Sequence, residues 1–268
     1  MTLLTLRRVT TTAALLFTAS TLPAQTVDHS AFDGLLKAHV ANGLVDYDAF
    51  KASPVFAGYL RLLASTNPAP LPRAEQLAFW INAYNAYTIQ LINTKNERES
   101  IRNVNKSLGF LKFKGPWSDP FAVVGGKTYT LDDIEQRTIR PTYKEPRIHF
   151  ALVCAAIGCP PLRGEAYTGA RLEAQLNDQA VLFLTKTPTK NRVDVATRTV
   201  YRSQVFSFSD YMQDFGGSEA AVGRFIARYY PAGPEKTLLE SGEFKAVKTD
   251  YDWSLNSQSN GRRLGLLR

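Results

Sequence analysis

The chain has 268 residues, a formal net charge of +8, two cysteines and three histidines, and 44% of its residues are hydrophobic. That length and composition suffice for a substantial apolar core, and two cysteines are too few for a disulfide-stapled miniprotein, so burial must hold the fold. The basic residues are scattered (Arg98, Arg102, Lys106, Lys112 and Lys114 in one region, Arg262, Arg263 and Arg268 in the tail) without a nucleic-acid motif around them, so no nucleic-acid partner is expected.

Residues 1–24 read as a secretory signal peptide. Arg7 and Arg8 form a positive start, Ala13 to Phe17 an apolar centre, and Leu22-Pro23-Ala24 a small-residue end. Its removal takes two arginines from the 32 basic residues and leaves 30 against 24 acidic ones, a mature charge of +6. A periplasmic or secreted location follows as an expectation, with the general secretory route favoured over the twin-arginine one because no apolar pair follows Arg8. No transmembrane segment is expected in the mature chain, since no apolar run approaches the ~18 residues that span a bilayer.

Residues 25–268 read as one α+β domain, compact and mainly helical, with small antiparallel hairpins. Phe32 to Val40 and Val55 to Ala64 carry apolar residues at helical spacing, and Asn67 to Pro72 then breaks the chain. From Arg73 to about Asn93 the sequence predicts a helix that is apolar almost all round, the signature of a buried helix. Asn82 and Asn85 lie three apart on it and need partners, because an unpaired buried amide costs about 1–3 kcal/mol. They either tie the helix to neighbouring backbone or serve a site, Asn82 at an oxyanion and Asn85 in binding.

Phe121 to Val124, Gly125-Gly126 and Lys127 to Thr130 predict a hairpin, and Leu131 to Arg140 a short helix opening with acids. Further helices are expected over Ala170 to Leu184 and Glu219 to Tyr229, with a strand pair within Arg192 to Tyr201. The absence of a strand–helix–strand repeat with Gly-rich loops argues against a doubly wound nucleotide-binding sheet.

Both cysteines and the one histidine beyond the N-terminal region fall within Arg147 to Leu162. A histidine near a cysteine can generate a thiolate nucleophile, which makes Cys154 and His149 the catalytic candidates of a thiol-dependent hydrolase or acyl transferase. Strand alternation or helical rotation would separate their side chains, so contact requires a bend. Cys159 competes for the same sulfur: in an oxidising compartment Cys154 and Cys159 can close a disulfide, provided the residues between them are not helical. Glu135 or Asp252 could orient the imidazole, while Arg147 could stabilise a thiolate or pair with Glu135. His29, His39 and His149 fit no metal-ligand spacing, so neither metal nor cofactor is expected. The C-x-x-x-x-C spacing also lacks the redox-helix geometry of a thiol oxidoreductase. The rival reading is a non-catalytic binding or scaffold module with a structural disulfide, engaging a small molecule or an envelope partner. Oligomeric state is not legible.

Ala78-Phe-Trp-Ile-Asn-Ala-Tyr-Asn-Ala86, Leu131-Asp-Asp-Ile-Glu135, Arg147-Ile-His-Phe-Ala-Leu-Val-Cys154, Cys159-Pro-Pro-Leu162 and Tyr251-Asp-Trp-Ser-Leu-Asn256 together resemble the domain-of-unknown-function 547 family. Five motifs in order imply a match over nearly the whole mature chain. The resemblance implies an architecture and candidate residues, without a reaction.

Overall fold

The computed structural model describes residues 25–104, 115–208 and 210–267. The expected signal peptide and Lys106, Lys112, Lys114 and Arg268 lie outside the described residues. Helix α1 (Ser30–His39) leads into a two-residue hairpin, β1 (Val40–Ala41) and β2 (Leu44–Val45), followed by α2 (Tyr47–Ala52), α3 (Pro54–Ser65) and α4 (Arg73–Thr94). The hairpin β3 (Ala122–Val124) and β4 (Lys127–Tyr129) precedes a π-helical stretch, Asp133–Ile139, and the short helices α5 (Arg140–Tyr143) and α6 (Ile148–Ala151). Then come α7 (Leu172–Thr185), β5 (Arg192–Asp194), β6 (Thr199–Arg202), α8 (Glu219–Ala227), α9 (Pro234–Ser241), β7 (Lys245–Lys248) and α10 (Gln258–Arg263). The expected α+β class holds.

Local chemistry accounts for most boundaries. Asp46, Ser53, Ser218 and Ser257 each accept a hydrogen bond from a first-turn backbone N–H, starting α2, α3, α8 and α10. Gly125 and Gly126 both have positive φ, as the hairpin turn requires. Thr130 and Asp133 exchange side chain to backbone hydrogen bonds of 2.9 Å, a reciprocal cap that opens the segment predicted as an ordinary helix. That segment adopts the wider π register instead, ending where Pro141 removes a backbone donor.

Two apolar cores are built around different elements. The larger encloses α4, whose residues from Leu77 to Ile89 are all buried, and which packs against α2, α3, α7 and the π-helical stretch. The smaller is formed by Phe150, Phe183, Phe206, Phe215, Phe225 and their neighbours, beneath the sheet β5–β6–β7 and helix α8. In that sheet β5 and β6 pair antiparallel as expected, but β6 and β7 run parallel, so the sheets are not uniformly antiparallel. The crossover α8–α9 returns the chain to start β7 in the same direction as β6. Among the described residues no helix is long and apolar enough to cross a membrane.

Asn82 and Asn85 pin other segments to α4. The Asn82 amide donates to the Tyr167 carbonyl (2.7 Å) and accepts from the Tyr167 N–H (2.9 Å), while Asn85 donates to Ala151 O (2.9 Å) and accepts from Val153 N–H (3.0 Å). Each is a side chain behaving as a strand neighbour, in a site closed to water. We expect Asn82→Ala and Asn85→Ala each to cost about 2–4 kcal/mol in urea denaturation, because two buried backbone groups lose their partners. A loss below about 0.5 kcal/mol would contradict this accounting.

Candidate functional site

The segment Arg147 to Cys159 is neither a strand nor a continuous helix. Helix α6 lasts one turn, Leu152 turns extended under the grip of Asn85, and Ala155 takes a left-handed φ of 61°. That bend brings the Cα atoms of Cys154 and Cys159 to 6.3 Å, and the two sulfurs are joined in a disulfide. The Cys154 N–H points at the Cys159 sulfur (3.2 Å). The Tyr251 hydroxyl lies 3.2 Å from one sulfur and 3.1 Å from the other, and burial pushes its ionisation upward, so it stays a donor to them. Gly158 permits this contact, since a Cβ there would stand 2.8 Å from the Tyr251 ring.

His149 projects from α6 into the space between the cores, with its side chain fully enclosed. Its Nε2 is 2.6 Å from Asp214 Oδ2, on the one-turn helix Tyr211–Phe215. Burial pushes the Asp214 carboxyl up, but hydrogen bonds from His149 and Arg140 outweigh it and hold the pKa at about 2. Asp214 is therefore ionised near neutrality, a pure acceptor, and Nε2 carries the proton. Arg140 completes this anchor through Nε to Asp214 and Nη1 to Asp210, each at 2.7 Å.

The other ring nitrogen, Nδ1, is buried without a hydrogen-bond partner and stands 4.0 Å from Glu135 Oε1. Glu135 comes from the π-helical stretch, and its carboxylate accepts a short hydrogen bond from the Tyr211 hydroxyl, which in turn accepts from Gln136 at 3.0 Å. The Tyr211 ring packs on the imidazole with centroids 4.1 Å apart. Burial first, then the neighbouring Glu135 charge, drive the ionisation of Tyr211 and Tyr84 upward, so both phenols remain protonated beside the carboxylate.

These groups line a cavity of about 490 Å³. Glu135, His149, Tyr84 and Tyr211 form one side, with Asp132 and Arg137 nearby. The disulfide and the aromatic rings of Trp117, Phe208, Tyr251 and Trp253 form the other. Tyr251, Trp253 and Phe208 pack on one another at 4.6 to 5.8 Å between centroids, giving that side a fixed apolar face. An apolar wall facing a few convergent polar groups is the usual composition of a small-molecule site.

The structure brings together His149, Glu135, Cys154 and Cys159 among the residues singled out from sequence. It does not bring Asn82 or Asn85, whose amides are spent on backbone groups. Arg147 pairs with Glu145 (2.6 Å) and Glu173 (2.7 Å) rather than with Glu135, so it braces α6 against α7. Asp252 is exposed and accepts from the Ser254 N–H, while its neighbours Tyr251 and Trp253 turn into the cavity. The imidazole is oriented by Asp214, with Glu135 facing its opposite edge. The Cys154 sulfur is held in the disulfide and offers no thiolate while that bond stands.

Residues 68–184 match the model of a family described as a protein of unknown function, DUF547. The match covers about 43% of the chain rather than nearly all of the mature part, and the motif at 251–256 falls outside it. No curated protein and no solved structure matches the chain.

Two outcomes follow from this geometry. Replacing both cysteines by alanine should cost about 2 kcal/mol, the loop-closure contribution of so short a ring, read as a lower denaturation midpoint. Asp214→Asn should lower stability at neutral pH by about 1 kcal/mol after discounting for partial exposure. Because the folded-state pKa of Asp214 is depressed, its contribution is full above its unfolded value near 3.8 and is lost as pH falls through about 2. Wild type and variant should therefore converge in acid titrations over that interval; a constant gap would contradict the assignment.

Proposed function

With residues 68–184 matching the model of the DUF547 family, we propose that the chain is an acid–base hydrolase of an oxidising compartment, acting on a small substrate held in the cavity beside Glu135 and His149. The observation that carries this reading is the Nδ1 of His149, left without a partner 4.0 Å from a carboxylate at the cavity wall, while Asp214 fixes the opposite edge of the ring. A carboxylate beside an imidazole can take a proton from an attacking water and return it to a leaving group. Water adds across the scissile bond: its oxygen bonds to the electrophilic carbon, its first proton passes to Glu135, and the leaving atom is protonated through the same pair. Tyr211 holds the carboxylate in place, Tyr84 lines the same cavity, and the Trp117–Trp253 side supplies apolar contact to the substrate.

Export is part of the proposal. A disulfide on the wall of the site is the state an oxidising compartment maintains, and the leader-like residues 1–24 agree with it. Thiol catalysis by Cys154 would first require reduction of that bond.

One specific observation favours the alternative, a binding module without chemistry. The His149 side chain has no exposure and Glu135 already accepts from Tyr211, as in a network that serves stability.

A panel of nitrophenyl esters, amides and glycosides separates the readings. We expect turnover of at least one class to survive the double replacement Cys154→Ala/Cys159→Ala and to fall about 100-fold or more in Glu135→Gln, with folding checked by circular dichroism. Turnover lost with the cysteines but kept in Glu135→Gln would establish the thiol mechanism. Saturable binding of such compounds without turnover would establish the binding module.

A further inference from the structure

A second cavity, of about 550 Å³, opens on the far side of the Cys159–Pro160 wall. It lies between the turn joining β1 to β2, the loop from Ala156 to Gly164 and the end of α7, and its lining is predominantly aliphatic. At its rim stand Leu182 and Leu266, which are 41% and 51% exposed and are among the few large apolar side chains on the surface.

Two polar groups in this apolar setting lack the partners their chemistry calls for. Gln179 is 1% exposed; its amide nitrogen donates to the Pro161 carbonyl at 2.6 Å, which fixes the amide orientation and leaves Oε1 as an acceptor with no donor. Lys190 donates through Nζ to the Cys159 carbonyl and forms no ion pair among the described residues. Burial lowers its pKa and Asp252 raises it, leaving it at about 8, so the group is mostly protonated near neutrality. Arg163, which also borders the cavity, is by contrast neutralised by Glu165 and Asp178.

The two groups are held at fixed spacing, because they anchor to carbonyls two residues apart on one loop. Extended backbone covers about 7 Å at most between those carbonyls, and both side chains line the one cavity. An ammonium that makes no direct ion pair, and feels Asp252 only at longer range, has room for an anion, a buried orphan acceptor calls for an O–H or N–H donor, and the leucines at the rim call for an aliphatic body. We propose that this cavity binds an aliphatic acid carrying a hydroxyl or amide N–H close to its carboxylate, with the carboxylate on Lys190 and the donor on Gln179 Oε1. The site stands independently of the acid–base reading of the first cavity.

Isothermal titration calorimetry with 3-hydroxydecanoate, decanoate and decan-1-ol below their aggregation limits tests this on the full chain. The expected order of affinity on the native chain is hydroxy acid, then plain acid, then alcohol, with binding of the acids weakening as salt is added. Lys190→Met should weaken the hydroxy acid at least about tenfold, whereas Lys190→Arg keeps most of the affinity. Gln179→Leu should reduce 3-hydroxydecanoate binding to the level of decanoate and leave decanoate itself unchanged. Equal binding of decan-1-ol, no saturable binding of 3-hydroxydecanoate, or full affinity in Lys190→Met would each overturn the proposal. Should Lys190→Met fail to fold, the acid-against-alcohol comparison on the native chain decides alone.

Discussion

The amide of Asn85 grips the backbone at Ala151 and Val153, and the site depends on that grip. The segment it holds is the seam between two cores: Ile148 and Ala151 pack into the larger one, and Phe150 into the smaller. A one-turn helix with this split burial has too few internal hydrogen bonds to persist alone. Clamped from α4, it aims His149 between the cores and lets the following residues turn extended, so that Cys154 can swing back to Cys159. Asp214, delivered from the smaller core, closes the seam from the other side.

The chemistry of the cavity follows from what these constraints leave unsatisfied. The sulfur that looks most reactive in the sequence is bonded to its neighbour, with Tyr251 donating to both sulfurs. The groups that retain proton-transfer capacity are Glu135 and the Nδ1 edge of His149, brought to 4.0 Å by the π-helical stretch and α6, which flank α5 in the chain. The π register of residues 133–139 is an irregularity of the kind that recurs where a helix must present a side chain to a site. The disulfide thus reads as a wall of the pocket and a staple of its loop.

Much of this was legible in the sequence where local physics dominates. The all-round apolar pattern of α4 announced a buried helix, Gly125-Gly126 announced the hairpin, and the need of Asn82 and Asn85 for buried partners was visible from their position alone. The choice between Cys159 and an open thiol remained balanced in the sequence, because it turns on the left-handed Ala155, a conformation that alanine does not advertise. Asp214 and Tyr211 were invisible: they lie more than 60 residues after His149, on a single 3₁₀ turn that has no periodicity to detect. In Tyr251-Asp252-Trp253 the charged residue drew attention, yet alternation along extended chain carries its two aromatic neighbours into the cavity and leaves Asp252 outside. β7 escapes the sequence reading because its lysines mask a short strand whose parallel partners are 46 residues away.

The central claim is that the reactive group of the first cavity is a carboxylate, with the sulfurs closed. Mass-spectrometric mapping of the native, unreduced protein after separate treatment with an epoxide, which alkylates accessible carboxylates, and with iodoacetamide, which alkylates thiols, examines this directly. The account predicts epoxide modification at Glu135 and no iodoacetamide adduct at Cys154 or Cys159. An iodoacetamide adduct on Cys154 with Glu135 untouched would contradict it.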